Sequence, residues 1–373
     1  MSTQKLKIAI TEWHGVAHEM AQFPPDGVEY CRINSIPERS PRIIRSPIKG
    51  YLRTYEATKC DLIEAILSPI RTHSRWIYSI ANAQEALAFN VFGAPIPRTI
   101  RVAYLLHLLK KNNLKKLIFW SQAGLSTLTS YSNIADPELL SKTTVVYPAI
   151  RAVPTSDHPR SDSSILQLLF SGDFFRKGGA HVIDAFERAS LLYPELHLRL
   201  CCDERMDFNT DNTNLRAAYL KRIYNHPNIT IGRASRAEMI NVILPKTHIY
   251  VLPTYAEAFG YSILESMAFS IPVIATNHFA IPEMITHEHD GFLIDVSKYD
   301  CERLFRGYRV NKIPSEFHEY MTESLFSYLC KLIENAALRT GFGQRAAQTA
   351  RTKFSFETRN RKMLTIYQDA LSS

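Results

Sequence analysis

Short apolar runs alternate with stretches of helical spacing along most of the chain. LKIAIT (Leu6 to Thr11), CDLIEAI (Cys60 to Ile66), RWIYSI (Arg75 to Ile80), KLIFWS (Lys116 to Ser121) and TTVVYP (Thr143 to Pro148) predict strands, and Ile100 to Lys111 predicts a helix. A second series follows: LQLLFSG (Leu166 to Gly172), a helix over 179–192, LHLRLCC (Leu196 to Cys202), NITIG (Asn228 to Gly232), a helix in SRAEMINVIL, HIYVLPT (His248 to Thr254), a helix over 260–269, PVIAT (Pro272 to Thr276) and GFLIDV (Gly291 to Val296). Strand and helix signals that alternate in this way imply parallel sheets with right-handed crossovers. Between the two series, AIRAVPTSDHPRSDSS has neither periodicity and contains Pro154 and Pro159, so it predicts a linker. The expected class is α/β, with two Rossmann-like, doubly wound domains. They are bounded at 1–150 and 165–354, with a linker at 151–164. Such sheets bind ligands beyond the carboxyl ends of their strands, and two of them predict a central cleft.

At 373 residues the chain exceeds one ordinary core and suits two of ~150 to 200 residues each. With 46% hydrophobic and 21% charged residues, a disordered or fibrous chain is excluded. No apolar run reaches the ~18 to 20 residues of a membrane helix, and MSTQKLKIAITEW passes into a strand-like run instead of a signal peptide. A cytoplasmic location is therefore expected. The six cysteines form no CxxC pair, and no Asp-x-Asp occurs, so neither a disulfide framework, a zinc site nor a carboxylate doublet for Mg²⁺ has local support. His287, Glu288, His289 and Asp290 have a metal-like composition but sit before the turn glycine Gly291, which favours a solvated loop. No metal or cofactor is expected.

Net charge is +8, and residues 1–150 hold 18 Lys and Arg against 11 Asp and Glu, leaving only +1 to the remainder. The basic residues gather in 39–53 and 105–116. Two readings follow: a surface for an anionic acceptor or an anionic membrane inner face, or a solvated loop and helix end. Nucleic acid is disfavoured because no aromatic residues interleave with these runs.

One stretch, PTYAEAFGYSILESMAFSIPVIAT (Pro253 to Thr276), concentrates the candidate chemistry. HIYVLP ends a strand and YSILESMAF has helical spacing, so Gly260 falls at a strand-to-helix turn whose N–H groups and dipole suit a phosphate. Glu257 precedes the turn and Glu265 lies within the helix, so the two carboxylates would flank that phosphate and accept hydrogen bonds from sugar and ribose hydroxyls. A nucleotide-sugar matches this layout.

EAFGYSILE resembles the E-x7-E signature of glycosyltransferase family 4, which has the GT-B fold. The resemblance runs from Leu166 to Val296 through SGDFFRKGGAHVIDAF, ESMAFSIPVIATN and IPEMITHEHDGFLIDV, in the family's order. The final SFETRNRKMLTIYQDAL is similar to the family's last helix, which implies that 355–373 cross back to pack on the first domain. The resemblance implies that Glu257 contacts the donor sugar, Glu265 the ribose, the backbone of Phe259, Gly260 and Tyr261 the diphosphate, and Lys177 the phosphate. It also implies that the backbone near Arg233 reads the base. Glu283 matches a further donor-site glutamate, with helix N-capping as its other reading. Where the family commonly has a second phosphate-binding arginine, this chain has Gly172; Arg176 either reaches in instead or is solvated. Ser270 replaces a glycine common in AxGxPVIA.

The resemblance further implies a retaining, metal-independent enzyme that moves a hexose-type sugar from a nucleotide-sugar, UDP favoured over GDP, to a glycan or lipid-linked acceptor by front-face displacement. His14, after the first strand, and Glu85 are the candidates for positioning the acceptor hydroxyl. Two rivals remain: a nucleotide-sugar 2-epimerase of the same architecture, and a non-catalytic nucleotide-sugar-binding subunit, which Gly172 favours.

Overall fold

The computed structural model describes residues 5–13, 16–35, 53–87, 90–91, 94–151, 165–210, 212–299 and 313–372. The chain divides into two compact units, one of residues 1–149 with 354–373 and the other of 150–353. His14, the basic run 39–53 except Arg53, and the linker beyond Arg151 lie outside the described residues.

In the first unit six parallel strands pair in the order β2-β1-β3-β4-β7-β8. They are β1 (Leu6–Ile10), β2 (Val28–Arg32), β3 (Leu62–Ile66), β4 (Trp76–Ile80), β7 (Leu114–Phe119) and β8 (Thr143–Val145), with a hairpin of β5 (Asn90–Val91) and β6 (Ala94–Pro95) outside this sheet. Every residue of β3 and β4 is buried, which explains their unbroken apolar runs: a parallel sheet covered on both faces has no polar side. Alternation then sorts the side chains. Trp76, Tyr78, Leu117 and Phe119 enter a core with Leu105 and Leu109 of the Arg98–Leu109 helix. Ile8, Leu62, Ile77 and Ile118 point the other way, onto Met363, Ile366, Tyr367 and Ala370 of the Phe356–Ser372 helix.

That closing helix is held by polar contacts as well. Glu64, in the middle of β3 and fully buried, accepts from Ser79 Oγ at 2.8 Å and from the Tyr367 hydroxyl at 2.5 Å, and Tyr367 meets Tyr30 OH at 2.7 Å. Arg359, also buried, places its charge beside Glu64 and Tyr30. The helix is thus part of the first unit's core. The basic run 105–116 is divided by the same packing: Leu105, Leu108, Leu109 and Leu114 are buried, and Lys110 pairs with Asp136 at 2.6 Å.

In the second unit the order is β11-β10-β9-β12-β13-β14, again all parallel. These strands are β9 (Leu166–Ser171), β10 (Leu196–Cys201), β11 (Ile229–Ile231), β12 (Ile249–Leu252), β13 (Val273–Thr276) and β14 (Gly291–Ile294). The helix predicted over 179–192 forms as Gly179–Leu192 and packs along the Ser315–Glu334 helix. SRAEMINVIL departs from a regular α-helix: a short Arg236–Glu238 turn passes into a π-helix over Met239–Ile243, ahead of Pro245. Pro245 has no N–H to donate, which accounts for the disturbed ladder before it. Strand order reverses between β9 and β12, so the crevice beyond their carboxyl ends is the sheet's switch point.

Candidate functional site

Two loops leave the switch point, 172–178 after β9 and 253–260 after β12. Glycine lets them touch. Gly178 has φ +82°, and a Cβ there would lie 2.3 Å from the Pro253 carbonyl oxygen, so no other residue permits this approach. The first loop is anchored from below by Phe174, stacked on Phe208 with centroids 4.2 Å apart, and by the Tyr255 hydroxyl, which donates to the Phe175 carbonyl at 2.8 Å.

This approach brings Lys177 to Glu257. Lys177 Nζ donates to Glu257 Oε2 at 2.7 Å and to the Ala256 carbonyl at 2.8 Å, and both side chains are mostly buried, 14% and 12% exposed. The other oxygen of Glu257 accepts from its neighbour's N–H, that of Ala258, at 3.0 Å. Residues 80 positions apart in sequence thus form one ion pair.

Gly260, φ +103°, starts the Tyr261–Ala268 helix with no side chain capping it. Met284 lies where a Cβ would project, 2.7 Å away, and Phe259 is buried beside it. The helix N-terminus and its dipole therefore open next to the Lys177–Glu257 pair, an arrangement that can hold an anion. Farther along the helix, Glu265 is buried and pairs with Arg236. Arg236 opens a turn capped by Ser235, whose hydroxyl accepts from Glu238 N–H at 3.1 Å. Sequence reading missed Arg236, and the Ser-x-x-Glu spacing around it was its only local signal.

The other predicted residues are less engaged. Arg176 is exposed and turned to Asp173, 3.3 Å from its carboxylate. Arg233 is 71% exposed, its guanidinium 4.0 Å from Asp203 and 3.9 Å from the Met206 sulfur. Gly172 has φ +103°, a conformation in which an arginine would be strained. Glu283 ends a 3₁₀ turn (Ile281–Glu283) whose N-cap is Ala280, so it is not that turn's N-cap, and its carbonyl accepts from Lys353 at 2.6 Å. In the first unit, burial raises the Glu85 carboxyl above the usual range, partly offset by the Ala81 N–H.

A further residue was not predicted. His278 follows β13, whose Thr276 hydroxyl donates to the Thr254 carbonyl at the end of β12. His278 is 9% exposed, and burial lowers its pKa to about 4, against an opposing effect of Glu257 that outweighs that of Lys177. The metal-like cluster serves the loop instead. Asp290 accepts from Thr286 N–H and from the Thr349 hydroxyl, and His287 accepts from Leu293 N–H. Among the described residues no three His, Cys, Asp or Glu side chains are arranged to hold a metal ion. Nor is any helix long and apolar enough to cross a membrane.

Comparison with known proteins places this site in context. Residues 158–304 match the family model for glycosyl transferases group 1. A stretch of 65 residues is 35% identical to sucrose synthase of Solanum tuberosum, covering 17% of this chain and 8% of that protein. A stretch of 64 residues is 38% identical to sucrose synthase 2 of Pisum sativum, again 17% and 8%. The chain therefore spans less than a tenth of the length of these curated relatives. Solved structures align over nearly the whole chain. A glycosyltransferase from Rickettsia africae ESF-5 has a TM-score of 0.63 at 16% identity, covering 100% of both chains. Sucrose-phosphate synthase from Thermosynechococcus elongatus has 0.63 at 15%, covering 99% and 100%. Anabaena HepE, solved with UDP and glucose, has 0.61 at 13%, covering 97% and 99%. At these identities the likeness shows the fold, which is GT-B.

Proposed function

We propose that this protein is a glycosyltransferase that moves a hexose-type sugar from a nucleotide-sugar to a hydroxyl of a glycan or lipid-linked acceptor. Retention of anomeric configuration, independence of a metal and a preference for UDP over GDP belong to the same reading. The observation that carries it is the Lys177–Glu257 pair, held at the switch point beside the N-terminus of the Tyr261–Ala268 helix. A group 1 glycosyl transferase match across these residues supports the reaction class, and the UDP in the HepE structure supports the nucleotide.

In this reading the diphosphate lies at the helix N-terminus, Lys177 turns from Glu257 toward it, and Glu257 meets the sugar hydroxyls. Glu265 receives the ribose hydroxyls, the backbone near Arg233 meets the base, and Glu283 lines the donor side. The bond from the anomeric carbon to the phosphate oxygen breaks, the acceptor oxygen bonds to that carbon on the same face, and its proton passes to the departing phosphate. The protein's part is orientation and charge stabilisation. His14 and Glu85 are the proposed acceptor-side residues, and the basic first unit is proposed to favour an anionic acceptor, with peripheral contact to anionic membrane.

A thermal-shift panel of UDP, GDP, ADP and their common sugar conjugates tests the donor site. A ligand at ~100 times its Kd stabilises by about 2.7 kcal/mol, a rise of roughly 5 to 10 °C for units of this size. The rise is expected with UDP, to be lost in Lys177→Ala and to be reduced in Glu265→Ala. No rise with any nucleotide refutes the donor site. Co-sedimentation with vesicles at low salt tests the membrane contact, which is lost if anionic lipid is not preferred over neutral.

A further inference from the structure

We propose that His278 is the second cationic contact for the donor diphosphate, a contact that forms only when the anion binds because the imidazole takes up a proton in that step. This rests on the donor-site reading above and adds to it a residue outside the matched sequence signatures.

A nucleotide diphosphate brings about two negative charges to a crevice in which Lys177 is already neutralised by Glu257 and Arg176 faces Asp173. One committed cation does not balance two incoming charges. His278 lies in the adjacent loop, joined to the β12 end by the Thr276–Thr254 hydrogen bond. His278 is a buried residue, 9% exposed. The next residue, Phe279, is held at φ +51°, a left-handed conformation that a bulky side chain adopts only when its surroundings enforce it. The loop is thus constrained at the residue beside the imidazole.

Charges on the neighbouring elements are accounted for. Glu257 and Lys177 act on the ring; Asp295 accepts from Asn277 at 2.7 Å, and Lys353 donates to the Glu283 carbonyl. In the free protein burial keeps His278 neutral down to a pKa of about 4, against the raising effect of Glu257. A diphosphate beside Lys177 adds further negative charge, raises that pKa and draws one proton from solvent. Binding linked to one proton strengthens as pH falls through the complex's pKa, by up to about tenfold per unit, and levels off below the free protein's.

The test is calorimetry of the whole protein with UDP-glucose and GDP-mannose, whose diphosphates do not titrate near neutrality. Binding is measured from pH 5 to 8 in two buffers of different ionisation enthalpy. Wild type is expected to take up a proton at the acidic end and to bind about tenfold or more tighter at pH 5 than at pH 8. His278→Asn and His278→Gln are expected to lose both effects. Binding without proton uptake by wild type, or with the same uptake in both variants, overturns the role of His278 and leaves the donor site standing. Failure of both nucleotide-sugars and of UDP to bind wild type overturns the two readings together.

Discussion

If Lys177 is shared between Glu257 and a phosphate, then removing the charge of Glu257 strengthens the binding of a nucleotide that lacks a sugar. Glu257→Gln is the perturbation. The glutamine keeps an oxygen for the Ala258 N–H and loses only the negative charge that holds Lys177 at 2.7 Å. Two unit charges about 4 Å apart attract by about 4 kcal/mol at an effective dielectric of ~20 and by about 1 kcal/mol in water. With the side chains 14% and 12% exposed, the pair lies between these limits. A phosphate that draws the ammonium only partly away recovers a share of this, about 1 to 2 kcal/mol, equivalent to roughly 5- to 30-fold in Kd. UDP titrated calorimetrically into Glu257→Gln should therefore bind that much more tightly than into wild type. A UDP-sugar should gain less, because its hydroxyls lose the carboxylate acceptor, and transfer should slow. In a Lys177→Met background the Glu257→Gln gain should vanish, since no cation remains to be released. Equal or weaker UDP binding in Glu257→Gln, with the fold intact, refutes the competition and the placement of the phosphate at Lys177.

Other consequences are as specific. Glu265→Ala should weaken UDP by about 10- to 100-fold, the loss of charge-assisted hydrogen bonds, and should leave 2′,3′-dideoxy-UDP unchanged in competition binding. Ser270 sits at φ +56° just after the Tyr261–Ala268 helix, where glycine is the unstrained residue. Ser270→Gly should stabilise by about 0.5 kcal/mol once the entropy of glycine is deducted, a rise of roughly 1 to 2 °C in Tm. Gly343→Ala should cost about 2 to 4 kcal/mol in chemical denaturation, since its Cβ would lie 2.1 Å from the Ser270 carbonyl oxygen. His181 is fully buried with both ring nitrogens unpartnered among the described residues, and burial lowers its pKa to about 3. The neutral ring is favoured in the fold, so stability is complete above pH ~6.5 and falls as pH drops toward 3, by up to about 1.4 kcal/mol per unit. His181→Leu should flatten that acid limb in urea titrations; an unchanged slope refutes the assignment.

Most of the strands were legible because they are buried on both faces and therefore continuously apolar. β2 was not. VEYCR has only Val28 fully buried and carries Glu29 and Arg32, so its edge position left too short an apolar signal. KLIFWS marked β7 two residues late, because Leu114 and Lys115 precede the apolar run, although Leu114 already pairs with Trp76 and Lys115 lies at the irregularity that follows. The closing helix shows the reverse case. Its apolar stripe is evident in the sequence, whereas its attachment to Glu64 through Tyr367 joins residues 303 positions apart.

The candidate site divides in the same way. Local order dictated the Gly260 turn, the helix behind it and the placement of Glu257 and Glu265 around them, because turn chemistry and helical spacing act over a few residues. Only tertiary structure decided which charges meet. Lys177 reaches Glu257 because Gly178 lets two loops from neighbouring strands touch; Arg236, rather than Arg233, reaches Glu265; Arg176 turns to Asp173; and His278 is buried beside the pair. Each of these depends on where parallel strands end in space, and that follows from strand order, which distant apolar segments settle when they pack against one another.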